Sequence, residues 1–272
     1  MDFSEWINLF SLPFMQRAII GGILLGILGG IIGGFVILRQ LSLFGNALGH
    51  SAFLAVVLVA LLQLPLMIAL IIFLVLFGLG INYLIEKTNL GGDTILSIVI
   101  ASSVALGTIG FNFVPGYRGN LLSILFGDIL AISNLDLLFL VILLIVTLSW
   151  LGLTLQQQIL LTLNSDLAQI QGIPVQRYKY IFIIILSLAI ALTMRAVGIL
   201  LVNAFLVIPA ATAKLISHQF VPFLGVSATI GAMSGVLGMI VSGSFNLPSG
   251  PSIVLVQLVT FLIVVFSGRG KF

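Results

Sequence analysis

Nine stretches of about twenty residues, each nearly free of charge, follow one another between residues 14 and 267. No single-chain arrangement in water hides so much apolar surface. A hydrocarbon core about 30 Å thick takes roughly 20 apolar residues per helical crossing. The stretches fall at about 14–38, 43–63, 65–86, 93–112, 135–155, 178–197, 199–217, 220–242 and 250–267. Apolar residues continue through each of them without the period-two alternation of barrel strands, so the predicted fold is all-α. The expectation is a polytopic helical membrane protein with nine transmembrane helices, or eight if one segment is re-entrant. Only 6% of the 272 residues are charged, against roughly a quarter in soluble domains. The chain 1–272 therefore reads as a single transmembrane domain.

The formal charge of +3 comes from ten basic and seven acidic residues. That is too sparse for a nucleic-acid surface, so lipid is the expected environment and nucleic acid is not a partner. With no cysteine, disulfides, thiolate nucleophiles and thiolate metal sites are excluded. The opening MDFSEW lacks the basic cluster of a cleavable leader, so residue 1 is read as part of the mature chain. Arg39, Lys87, Arg177, Lys179, Arg269 and Lys271 fall in gaps of one parity, with Arg118 as an exception. By the positive-inside rule this places the C-terminus in the cytoplasm and the N-terminus outside. No GxxxxGK[ST] sequence is present, so a phosphate-binding loop is missing and any ATP chemistry belongs to another polypeptide.

Several local patterns carry more. Gly22, Gly26, Gly30 and Gly34 lie at four-residue intervals in the first stretch, and Gly231, Gly235 and Gly238 form a weaker set. Such bare helix faces admit a close neighbour, within the chain or in a second subunit. Between 161 and 180 the apolar run breaks at LTLNSDLAQIQGIPVQRYKY. Leu163, Leu167 and Ile170 recur at helical spacing, Asn164 or Ser165 can cap, Asp166 suits the first turn, and Gly172 with Pro174 supplies a stop. This short amphipathic helix either lies on the lipid interface or docks on a cytoplasmic partner.

His50 is an ionisable group inside a span, which is costly enough to suggest function. Asn46 precedes it by one turn, on the same face. The pair either lines a cation path or packs, with the imidazole hydrogen-bonded to Asn46 or a carbonyl. Asn203 and Pro209 lie in LLVNAFLVIPAATA, where proline frees a backbone carbonyl; a pathway lining and a simple kink both fit. Asp128, in LFGDIL, falls on the external side and reads as a cation attractor or a capping residue. Asp93 reads as an N-cap, and His218 as a solvated interfacial residue.

Five stretches in order resemble one family: RQLSLFGNALGHSAFLAVVLVALL (39–62), GGDTILSIVIASSVALGTI (91–109), LLSILFGDILAIS (121–133), DLAQIQGIPVQRY (166–178) and RAVGILLVNAFLVIPAATAKLIS (195–217). They look like the permease subunit of ABC transporters that import zinc, manganese or ferrous iron. The resemblance implies a type II-like importer permease of the cell (inner or plasma) membrane, which is not itself an enzyme and holds no permanent cofactor. It implies a permease homodimer, or a pair of related permeases, with an ATP-binding cassette subunit and an extracytoplasmic metal-binding protein that delivers Mn2+ or Zn2+, with Fe2+ as a third candidate. Segment 163–173 would be the coupling helix, with Asp166, Leu167, Ile170 and Gly172 meeting the ATPase. That family usually has Asp at the position of Asn46, so here a neutral amide oxygen would replace a carboxylate beside His50. A permease for a siderophore or cobalamin, a proton-coupled transporter and a membrane enzyme are the competing readings.

Overall fold

A computed structural model describes residues 11–88, 90–114, 127, 129–198 and 201–267. Its helices are α1 (Pro13–Leu38), α2 (Ser42–Leu62), α3 (Leu66–Lys87), α4 (Gly92–Phe111), α5 (Asn134–Leu163), α6 (Ser165–Ile170), α7 (Val175–Val197), α8 (Val202–Ile216), α9 (Phe220–Phe245) and α10 (Ser249–Phe266). A 3-10 turn, Ile129–Ala131, precedes α5. Among the described residues, eight helices are long and apolar enough to cross a membrane. The ninth expected span is α8, whose 15 residues rise only about 22 Å at 1.5 Å per residue. It follows Gly198, whose φ of +90° breaks the chain after α7 in a conformation that favours glycine.

Most of the two glycine sets line one seam between α1 and α9, while Gly34 packs against the Leu224 and Phe223 side chains and Gly238 against Ile253 of α10. Gly22 faces Gly235, Gly26 faces Gly231 and Gly30 faces Ser227, so α1 and α9 run antiparallel with backbones in contact. The Ser227 hydroxyl donates across the seam to the Gly30 carbonyl at 2.7 Å. In lipid, apolar side chains gain little by leaving the acyl tails, so close backbone packing of this kind supplies the attraction. On another side of α1, α8 brings the Phe205 carbonyl 3.1 Å from where a Gly29 Cβ would stand, and the Leu206 carbonyl against Gly33. Pro209 has no N–H to offer Phe205, its i−4 neighbour. The carbonyl it frees thus faces the Gly29 backbone.

Helix α2 is clasped by α4: Ser51 and Ser103 hydroxyls lie 3.1 Å apart, and Phe53 fills the space left by Gly107. Ser187 of α7 fits similarly against Gly78 of α3. The Arg39 guanidinium reaches Thr162, and the Tyr180 hydroxyl lies 3.4 Å from the Glu86 carboxylate. The α1–α2 turn, the end of α3 and the α5–α7 connection therefore share one end of the bundle, which also carries Lys87, Arg177 and Lys179. At the start of α5, Ser133 and Asp136 form a reciprocal capping box.

Candidate cation pathway and coupling segment

Asn46 and His50 occupy successive turns of α2 and are both half-buried, while Gly45, Ala47, Leu48 and Gly49 around them are buried. Among the described residues neither polar side chain has a hydrogen-bond partner. The imidazole is thus not tied to Asn46 or to a carbonyl, and both groups are available to a third party. Asn203, in the first turn of α8, sets its Oδ1 2.7 Å from where a Gly45 Cβ would stand. That oxygen is buried and unpartnered. The fold thus brings Asn203 against α2 one residue before Asn46, two elements that lie far apart in sequence.

Within one chain the donor set is thin. Among the described residues, no group of three His, Cys, Asp or Glu side chains could hold a metal ion. His50 offers one imidazole nitrogen, and Asn46 and Asn203 offer neutral oxygens. Pro209 is buried inside α8, and the carbonyl it frees faces α1. Asp128 lies outside the described residues. Asp93 does not cap α4: Gly91 holds the N-cap position, and Asp93 sits in the first turn, where it complements the helix dipole. His218 is exposed, as expected.

The break at 161–180 forms α6. The Asn164 side-chain oxygen caps it, accepting from the Asp166 N–H at 2.9 Å and the Leu167 N–H at 3.1 Å. Gly172, at φ +77°, ends the turn in the left-handed region. Ala168 is the buried contact, packed with Leu161 and Val175. The three residues that gave the segment its amphipathic look point outward: Leu163 is 78%, Leu167 50% and Ile170 82% exposed. A shallow hollow beside them is lined by Asp166, Gln169, Gln176, Arg177 and Lys179. An apolar ridge with a charged margin, at the basic end of the bundle, has the character of a protein-docking surface.

Sequence reasoning passed over Arg39 as a topology marker, whereas the fold builds a site around it. Its Nη2 donates to Gln158 Oε1 at 2.5 Å and its Nε to Thr162 Oγ1 at 3.1 Å. The guanidinium lies over the rings of Phe182, at 4.5 Å, and Phe35, at 5.2 Å. Burial lowers its pKa to about 10, so it stays charged at neutral pH. The available signal was an Arg directly after a span, followed by polar residues late in a long apolar helix.

This set of tightly packed apolar helices, with an interrupted helix pair at α7–α8 and a short exposed helix at one end, defines a polytopic helical membrane protein. Residues 11–268 match the model of the ABC 3 transport family, and the chain belongs to that family. It is 32% identical, over 92% of its length and 95% of the other, to the high-affinity zinc uptake system membrane protein ZnuB of Haemophilus influenzae. It is also 32% identical to the manganese transport system membrane protein MntC of Listeria monocytogenes, over 94% and 91% of the two chains. The fold matches a chain of PsaBC from Streptococcus pneumoniae in complex with Fab with a TM-score of 0.86 at 33% identity, covering 100% of this chain and 98% of that one.

Proposed function

We propose that two copies of this chain, each acting over residues 1–272 as one permease domain, form the membrane pathway of an ATP-driven importer of a divalent transition metal, manganese or zinc before ferrous iron. The observation that carries this reading is the His50–Asn46 pair, an imidazole and an amide oxygen one turn apart, half-buried and without internal hydrogen bonds. Neutral imidazole suits first-row divalent ions. One chain offers too few donors, whereas two copies facing each other across a shared path supply two imidazoles and two amide oxygens, with Asn203 behind them. The names of the similar zinc and manganese proteins support the same cargo.

The charge of this donor set matters. With Asn at 46, the set is neutral and offsets little of the desolvation cost of a dication. Such a site holds the ion weakly, which favours passage over storage. Hydrolysis of ATP takes place in separate cassette subunits, which seat the exposed ridge of Leu163, Leu167 and Ile170 with Asp166 and Gly172 shaping its ends. An extracytoplasmic metal-binding protein delivers the ion at the opposite face. The C-terminus is cytoplasmic, in the plasma or inner membrane. Closure of the cassettes moves α6 and switches the path between outward-open and inward-open states.

The test is ATP-dependent uptake of radiolabelled Mn2+, Zn2+ and Fe2+ by proteoliposomes holding the permease, its cassette subunit and its binding protein. At least one ion is expected to accumulate, and His50→Ala is expected to reduce that uptake at least tenfold. Uptake of none of the three would overturn the cargo assignment; full uptake in the variant would remove His50 from the path.

A further inference from the structure

Arg39 touches the three parts of the chain that a coupled transporter has to join. Its backbone ends α1, with the Arg39 N–H bonded to the Phe35 carbonyl at 2.9 Å, and α2 begins three residues later with Asn46 and His50 on its second and third turns. Its side chain holds Gln158 and Thr162 in the last turns of α5, just before Asn164 caps α6. Its guanidinium lies on Phe182 of α7, the helix that leaves α6 on the other side. The two helices flanking the exposed ridge are thus fastened to the turn that introduces the cation-site helix, through one side chain.

The chemistry of the attachment is unusual for a half-buried cation. The hydrogen-bond partners are an amide and a hydroxyl, and the remaining contacts are ring faces. A carboxylate would hold the guanidinium more tightly, whereas neutral partners exchange at the cost of ordinary hydrogen bonds. Gln158 is fully buried, yet its Nε2 has no partner. A buried donor left unpaired costs stability, and in a protein with two working states it is accounted for if the group is paired in the other one. Gln40, next in the chain, has φ +57°. The turn is therefore held in a conformation that a non-glycine residue adopts only when its surroundings impose it.

We propose that Arg39 is the positioning residue that transmits motion of α6 to the His50 helix, through two-position contacts with Gln158, Thr162 and Phe182. This rests on the reading of α6 as the cassette-docking segment and adds to it the route by which docking reaches the pathway. Lysine keeps the charge but lacks the planar fork that reaches two acceptors while stacking on a ring, so Arg39→Lys removes the link without leaving an apolar gap.

Because the chain has no cysteine, Leu62→Cys at the exposed outer end of α2 places one spin label in each copy. In the assembled complex, the label-to-label distance is measured by pulsed EPR without nucleotide and with ADP–vanadate trapped in the cassettes. In the Leu62→Cys protein with Arg39 intact, trapping is expected to shift the distance distribution. With Arg39→Lys added, vanadate is still trapped but the shift falls to less than a quarter. The same variant in proteoliposomes is expected to hydrolyse ATP within twofold of native while the ratio of ions moved to ATP consumed drops at least fivefold. An unchanged shift, or uptake and hydrolysis falling in parallel, overturns the proposal. The distance readout does not depend on the cargo, so failure of the metal assignment leaves it legible.

Discussion

Replacing Gly26 by alanine tests the α1–α9 seam most sharply. A Cβ there would stand 2.6 Å from the Ala232 nitrogen and closer still to the Gly231 carbonyl, whereas ordinary contact begins at 3.4 Å. The obstacle on the α9 side is backbone, so no rotamer change relieves it and the helices have to part by about 1 Å. Overpacking of this kind costs about 1–3 kcal/mol, and it also stretches the Ser227–Gly30 hydrogen bond one turn away. The control is Gly225→Ala on α9, where nothing lies within 4 Å of the added carbon. Alanine at a helix interior there gains about 0.5–1 kcal/mol over glycine. Thermal unfolding in detergent, followed by protease resistance, is expected to show an apparent Tm lower by roughly 2–12 °C for Gly26→Ala, and unchanged or higher for Gly225→Ala. Equal melting of the two variants would refute the seam.

Three further outcomes follow from the site. Asn46→Asp adds a negative charge beside His50, so Mn2+ retention measured by equilibrium dialysis should tighten at least tenfold while uptake per ATP slows. Leu167→Ser with Ile170→Ser removes two exposed apolar side chains at a cost of about 1.5–3 kcal/mol each in any interface that buries them; co-purification with the cassette subunit should fall while the melting temperature stays put. Gly45→Ala drives a Cβ toward the Asn203 oxygen, 2.7 Å away, and should impair uptake, with Asn203→Ala in the same chain restoring part of it.

The membrane spans were legible because a 20-residue apolar run has few other uses, and the expected bounds of α1, α2 and α7 differ from the observed helices by at most a few residues. The predicted 135–155 stops at the kink of α5, where Thr154 leaves helical φ/ψ, and the turns beyond it carry Gln158 and Thr162, whose partner Arg39 lies far away in sequence. That pairing is tertiary, and no periodicity in either segment encodes it. The glycine stripes were visible, but not that Gly22 and Gly26 meet Gly235 and Gly231 while Gly238 packs on α10. The outward direction of Leu163, Leu167 and Ile170 was also hidden, since helical spacing tells which residues share a face and not what that face meets. Asn46 and His50 stood out because polar groups in a span are rare. Asn203 joined them only through the fold, by way of the missing side chain at Gly45.

The central claim is that two copies of His50 hold the travelling ion. Pulsed EPR of Mn2+ bound to the assembled two-copy permease reads this directly, through hyperfine coupling to ligand nitrogen. One ion per two chains is predicted, coupled to two imidazole nitrogens, with the coupling lost in His50→Ala. Bound Mn2+ that shows no nitrogen coupling, in a complex that still imports it, would contradict the account.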